Sequence, residues 1–300
     1  MLLLLFVYLS IIAFIGFSLY KVSQFTKMPL NGRWELYPVP KEPEERARYG
    51  GSYYEEAEWW NKPRHISHVG ELKDMLKEML FIKNLFVNQQ KLWWLSYSFH
   101  LGIYLLGLWT ILLLIGAGIE LAGISLTQNA LGPLVYYCTL LSGAAGAILL
   151  AVGSVGLFLR RLCSNIHGQY TTPQEYFNLI FIFAVVVSGL VVWSGDIGFN
   201  YGREIMKGLL TFSPINADCA LTVHILLLGA LLIYIPQTKM SHYVGKYFSY
   251  HKVLWDNEPN LRDSKMEDMV KADKIKATLN KTKLSWSAPH INPDSSNTKK

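Results

Sequence analysis

The sequence predicts an all-α, polytopic membrane bundle of five transmembrane helices with a long cytoplasmic loop and a polar C-terminal tail. Three observations carry that expectation. Hydrophobic residues make up 51% of the 300 positions. They gather in five long runs rather than recurring at the periodicity of a soluble core. Charged residues lie between and after those runs, with the basic ones concentrated in alternate connections.

The first run, Leu2 to Tyr20, is apolar from its second residue. It has no basic n-region and no small-x-small cleavage site before Lys21, so it reads as a retained membrane helix (1–20) rather than a signal peptide. Residues 21–91 are polar and rich in proline, with Gly50 and Gly51 at their centre. The stretches Trp34–Pro40 and Tyr49–Tyr54, with the pair Trp59 and Trp60, are too aromatic for a disordered linker. Tryptophan, tyrosine and arginine are enriched at interface cores, so the 31–64 loop and the segment His242–Trp255 are expected to form a docking face for a partner protein. From Glu71 to Phe86, Leu72, Met75, Leu76, Met79 and Leu80 recur at helical spacing, which predicts an amphipathic helix on the membrane surface.

The second run spans about Leu92–Ile119 and opens with the interfacial pair Trp93 and Trp94. The third, about Gly132–Leu159, is rich in small residues that suit close packing of helices or of a cofactor against backbone. The fourth spans about Tyr176–Trp193 and the fifth about Ala217–Ile235, where Pro236 interrupts the pattern. Residues 92–255 thus form a four-helix core, and 256–300 a polar cytoplasmic tail.

The formal net charge of +6 does not point to nucleic acid. Residues 21–91 carry twelve Lys/Arg but also ten Asp/Glu, a mixed and solvated surface. Loops 21–91, 160–175 and 239–300 hold 12, 2 and 12 basic residues. The opposite loops hold none between 119 and 131, and only Arg203 and Lys207 between 196 and 217. The positive-inside rule therefore places the N-terminus outside and the C-terminus in the cytoplasm, in the inner (cytoplasmic) membrane of the cell. Glu120, Gln128, Asp196 and Arg203 near the outer face read as ordinary interfacial residues. Cys138, Cys163 and Cys219 form no CxxC pair, which argues against an iron–sulfur cluster held by this chain and makes them small packing residues.

Two of eight histidines, His100 and His224, lie within apolar runs, and His242 follows the fifth. An ionisable side chain inside a span is functional by default. His224 and His242 are eighteen residues apart, five whole turns on a continuous helix, or about 27 Å. That is close to the hydrocarbon thickness of about 30 Å. One histidine near each surface is the arrangement two stacked b hemes require. Antiparallel second and fifth spans put His100 and His242 on one side of the membrane, where they could clamp one heme.

The chain resembles the gamma subunit of respiratory nitrate reductase, a membrane cytochrome b, over residues 92–255. The anchors are Phe99, His100, Gly102 and Ile103; Arg160, Arg161 and Leu162 followed by Thr171 and Thr172; and His224, Pro236 and His242. The segments Arg48–Tyr53, Trp59–Arg64 and His251–Trp255 look closer to the branch linked to dissimilatory sulfite reductase and heterodisulfide reductase. The resemblance implies two b hemes on four histidines. His100 and His242 match the cytoplasmic-side pair, and His224 matches one outer ligand. The fourth position falls at Thr110, a poor ligand for heme iron. His65, His68, His167, His251 and His290 all fall in cytoplasmic segments. The outer heme is then five-coordinate on His224, completed by another subunit, or absent. The resemblance also implies electron exchange between menaquinol or menaquinone and a cytoplasmic iron–sulfur subunit, alongside further membrane and periplasmic subunits. A heme-poor anchor and a small transporter are the rival classes. A transporter would carry inverted repeats and broken mid-membrane helices, and the runs do not divide into halves.

The topology has a direct check. A cysteine introduced near Lys281 is expected to react with an impermeant thiol reagent only after the membrane is opened; labelling of intact cells from outside would reverse the orientation.

Overall fold

Each apolar run folds as a single α-helix, because hydrocarbon offers no partner for a backbone N–H or C=O and a helix satisfies both within the segment. The computed structural model describes residues 1–27, 57–58, 68–126, 132–164, 171–249, 268 and 271–272. Among them the helices are α1 (Leu2–Lys27), α2 (His68–Phe81), α3 (Lys83–Asn88), α4 (Gln90–Leu121), α5 (Gly132–Cys163), α6 (Pro173–Gly195), α7 (Asn200–Thr211), α8 (Cys219–Tyr234) and α9 (His242–Ser249). No strand occurs among the described residues. Five helices are long and apolar enough to cross a membrane: α1, α4, α5, α6 and α8 with its extension to Gln237. The protein is an all-α, multi-pass membrane protein. Nearly all of the 31–64 loop and of the 256–300 tail lie outside the described residues, as do Gln128, His65, His167, His251 and His290.

Local chemistry sets several helix ends. Pro173 sits in the first turn of α6, and the Glu175 carboxylate accepts from the Thr172 N–H at 2.8 Å. Asp218 caps α8 by accepting from the Leu221 N–H at 2.7 Å. The segment read as one amphipathic helix over Glu71–Phe86 is two, α2 and α3, parted at Ile82, whose φ of 52° lies in the left-handed region.

The chain divides into two units, Met1–Lys21 with Phe81–Ser241, and Val22–Leu80 with His242–Lys300. Most of the first helix thus falls in the same unit as the later spans. Within the first unit the α4–α5 contact is the most extensive. The small residues of α5 serve helix packing there. A Cβ on Gly153 would lie 2.6 Å from the backbone N of Phe99, and one on Gly156 2.6 Å from Leu95. From the other side, a Cβ on Gly102 would lie 2.6 Å from the backbone N of Leu150. Lipid tails are as apolar as leucine, so helices gain little by hiding apolar surface from them; close backbone approach supplies the attraction instead. Against this pair, α6 and α8 pack through Leu150, Ile182, Val185, Val186 and Leu231. The Tyr234 hydroxyl donates to Asn178 Oδ1 at 2.8 Å, which satisfies both polar groups inside the bundle.

Helix α1 is held more lightly, with 11% of its apolar window buried. Phe6 and Ser10 meet Gly229 of α8, and Tyr8 donates to the Leu209 carbonyl while stacking on Phe212 at 5.5 Å. Helix α7 was not expected from the sequence. Its Phe199 N-cap and Phe212 C-cap both have positive φ, 53° and 56°.

Helix α8 does not continue past Pro236, contrary to the five-turn expectation. Proline lacks the N–H for the helical ladder and its ring clashes with the preceding turn. The chain passes through a 3₁₀ turn at Ile235–Gln237, an extended Thr238 and a second 3₁₀ turn at Lys239–Ser241 before α9 begins at His242. In the second unit, Phe25 stacks on Phe248 at 5.6 Å, and Lys246 reaches the buried Glu78 at 3.2 Å.

The glycine contacts separate two substitutions. Gly102→Ala is expected to cost about 1–3 kcal/mol through forced helix separation. Gly107→Ala, with nothing within 4 Å of the added Cβ, should be neutral or stabilising by about 0.5–1 kcal/mol. Thermal unfolding of the detergent-purified protein reads both, and equal responses would refute the close seam.

Candidate functional site

Two polar constellations interrupt the apolar interior of the first unit. The first is the pair of membrane histidines. Partly buried His100 lies on α4. Its Nδ1 sits 2.7 Å from the Ser96 carbonyl oxygen one turn earlier. A carbonyl can only accept, so Nδ1 carries the proton and Nε2 keeps the lone pair. The imidazole packs against Phe99 and Tyr104, with ring centroids 5.5 and 6.5 Å away.

His224 lies on α8 and faces α6. Its Nδ1 is 2.9 Å from Ser188 Oγ, and that hydroxyl is 2.7 Å from the Val185 carbonyl. With the hydroxyl proton given to Val185, Ser188 accepts from His224 Nδ1–H, and Nε2 again keeps its lone pair. Gly189 makes room for the ring: a Cβ there would lie 3.0 Å from His224 Cε1. Both spans therefore hold a histidine in the tautomer that metal-ligating histidines adopt, with the far nitrogen donating to a fixed oxygen.

The remaining expected positions come out differently. Thr110 donates its hydroxyl to the Leu106 carbonyl of its own helix at 2.9 Å. His242 is exposed at the start of α9, in the second unit. All three cysteines are free, but only Cys138 is partly buried; Cys163 and Cys219 are exposed rather than packed. Among the described residues, no three His, Cys, Asp or Glu side chains converge as a metal-ligand group. A heme asks for less, one or two axial nitrogens, and imidazole is a donor of that kind.

The second constellation joins α4 to α7. Arg203 is only 6% exposed, although the sequence had placed it with ordinary interfacial residues. Its Nε lies 3.3 Å from Glu120, whose second oxygen takes Lys207 at 2.6 Å; Lys207 also reaches Glu204 at 2.7 Å. The guanidinium further donates to the Gly198 carbonyl and to Asn200 Oδ1, and lies 5.6 Å from the centre of the Tyr136 ring. Gly116 lets the aliphatic stem lie on α4, with its Cβ position 3.3 Å from Arg203 Cδ. Asp196 accepts from the Asn200 side chain and from the Tyr201 N–H, fixing the start of α7. The hydrogen bonds to Glu120 and then Glu204 raise the Lys207 pKa above its ordinary 10.5. This contribution to stability is therefore complete below the ordinary value and is lost as pH rises through the raised one.

Fold and site together define a multi-pass helical membrane protein with hydrogen-bonded intramembrane histidines and a charge-balanced cluster at one end of the bundle. Compared with known proteins, the chain matches no family model, no curated protein and no solved structure.

The cluster predicts an asymmetry. Glu120→Ala strands the buried Arg203 and is expected to cost about 3–5 kcal/mol. Arg203→Ala leaves Glu120 on Lys207 and should cost less, about 1–3 kcal/mol. Unfolding midpoints of the two variants test this, and the reverse order would contradict the pairing.

Proposed function

We propose that the chain is a membrane cytochrome b, the electron-carrying subunit of an anaerobic respiratory redox complex. In this reading it passes electrons between menaquinone or menaquinol and a cytoplasmic iron–sulfur partner of the heterodisulfide reductase type, in dissimilatory sulfite or sulfate reduction. It sits in the inner membrane with its N-terminus outside and C-terminus inside. The observation that supports it best is the shared tautomer of His100 and His224. Both imidazoles lie inside spans, and each holds its Nδ1 against an oxygen, the Ser96 carbonyl for His100 and the Ser188 hydroxyl for His224.

When bound, heme supplies reversible one-electron chemistry; the protein supplies ligation, orientation and tuning. The Ser96 carbonyl would fix the His100 ring and raise its basicity, and Ser188 would do the same for His224. The rigid α4–α5 seam would hold the His100 side of the site still as charge changes. A heme-poor membrane anchor is the second reading. The His224–Ser188 hydrogen bond favours it, because that bond by itself offsets much of the cost of burying an imidazole.

Reduced-minus-oxidised spectra of the purified chain separate the two. His100→Ala is expected to remove a b-type absorbance component. His224→Ala should remove at most a weaker high-spin component. A colourless wild-type protein, or unchanged spectra in both variants, would overturn the cytochrome assignment in favour of the anchor.

A further inference from the structure

The lightly held helix α1 leaves a space that the heme reading does not use. Its first half is fastened, through Phe6 and Ser10 on Gly229 and through Tyr8 on α7 and Phe212. Its second half stands away from the end of α8. Between them is a cavity of about 600 Å³, lined by Ala13, Gly16, Phe17, Tyr20, Lys21, Pro236 and Gln237. The cause is local. Pro236 ends the α8 helix, so no further turn runs alongside α1. Gly16 offers no side chain to fill the gap, and a Cβ there would meet nothing within 4 Å.

The lining is ordered by polarity. Ala13, Gly16 and Phe17 lie along the apolar helix, and Tyr20 and Lys21 follow one turn later at its polar end. Gln237 donates one amide N–H to the Ile233 carbonyl at 2.7 Å and carries no charge. Lys21 is different: among the described residues its ammonium has neither an ion pair nor a hydrogen bond, whereas Lys207, Lys239 and Lys246 each meet a carboxylate. An apolar slot in a membrane span that ends at a tyrosine and an uncompensated cation matches a lipid chain below and an anion above.

We propose that this cavity is a binding site for one anionic phospholipid. One acyl chain lies against Ala13, Gly16, Phe17 and Pro236, and the headgroup phosphate meets Lys21. The bound lipid completes the contact between α1 and α8 that the helix break leaves open. The site is separate from the histidines and does not depend on heme.

Native mass spectrometry of the full-length chain, titrated with phosphatidylglycerol or with phosphatidylcholine of identical chains, tests this. Wild type is expected to retain one phosphatidylglycerol in preference to phosphatidylcholine. Lys21→Gln, which removes the charge and keeps a polar side chain, should lower that preference about fivefold, the effect of one basic residue near an anionic surface. Gly16→Leu puts a side chain into the slot from a position where an added Cβ meets nothing within 4 Å, and should abolish retention of both lipids while leaving the unfolding temperature unchanged or higher. Equal retention of the two lipids by wild type would overturn the proposal. So would undiminished retention in Gly16→Leu, or displacement of the phospholipid by a prenylquinone at equal concentration.

Discussion

The backbone-to-backbone approach of α4 and α5 is the constraint on which the rest of the first unit depends. Without a hydrophobic gain between helices in lipid, contact must come from dispersion at short range, and only glycine lets two helices come that near. Gly102 against Leu150 and Gly153 against Phe99 leave no room for rotation or sliding. His100 falls between these two contact positions. One residue on from Phe99 turns the side chain about 100° around the helix, off the seam. The seam therefore fixes the direction of His100 as firmly as its own hydrogen bond does. The same helix carries Glu120 about five and a half turns further on, so the seam also sets where α7 can be anchored.

Most of the polar groups inside the bundle are matched where water is absent, the buried Trp109 Nε1 being an exception among the described residues. His224 has Ser188, Tyr234 has Asn178, and Arg203 has Glu120. These pairs differ in what they leave over. Tyr234 and Asn178 satisfy each other across two helices. His224 spends one nitrogen and retains the other. The Arg203 cluster is balanced, with Glu120 and Glu204 against Arg203 and Lys207. At an effective dielectric constant near 20, an ion pair at 4 Å gains about 4 kcal/mol, and the desolvation of the buried guanidinium consumes several kcal/mol. Its stronger consequence is positional: it joins a loop helix to a span at a single register.

Hydropathy made the five spans legible, because a run of about twenty apolar residues has few other uses. It could not reveal α7, whose twelve residues mix Arg203, Glu204 and Lys207 with Ile205, Met206, Leu209 and Leu210. The alternation of those two sets at helical spacing was the available signal. The burial of Arg203 was not legible, since it depends on Gly116 and Glu120 of a distant helix. The continuous helix assumed from His224 to His242 is broken for a readable reason: Pro236 was visible, and the five-turn inference needed the helix to pass it. The tautomer of His100 rests on the Ser96 backbone, which every residue type would present alike, so no sequence pattern marks it. The aromatic docking face proposed for Trp59 and Trp60 falls outside the described residues.

The central claim is that the intramembrane imidazoles serve a b heme, and the heme-to-protein ratio of the purified full-length chain tests it most directly. Quantifying extracted heme against amino-acid analysis should give about one per chain, with Thr110 standing where a further ligand would fall. A ratio near zero, in protein produced under conditions that load other b-type cytochromes, would contradict the account and leave the histidines as hydrogen-bonded packing groups.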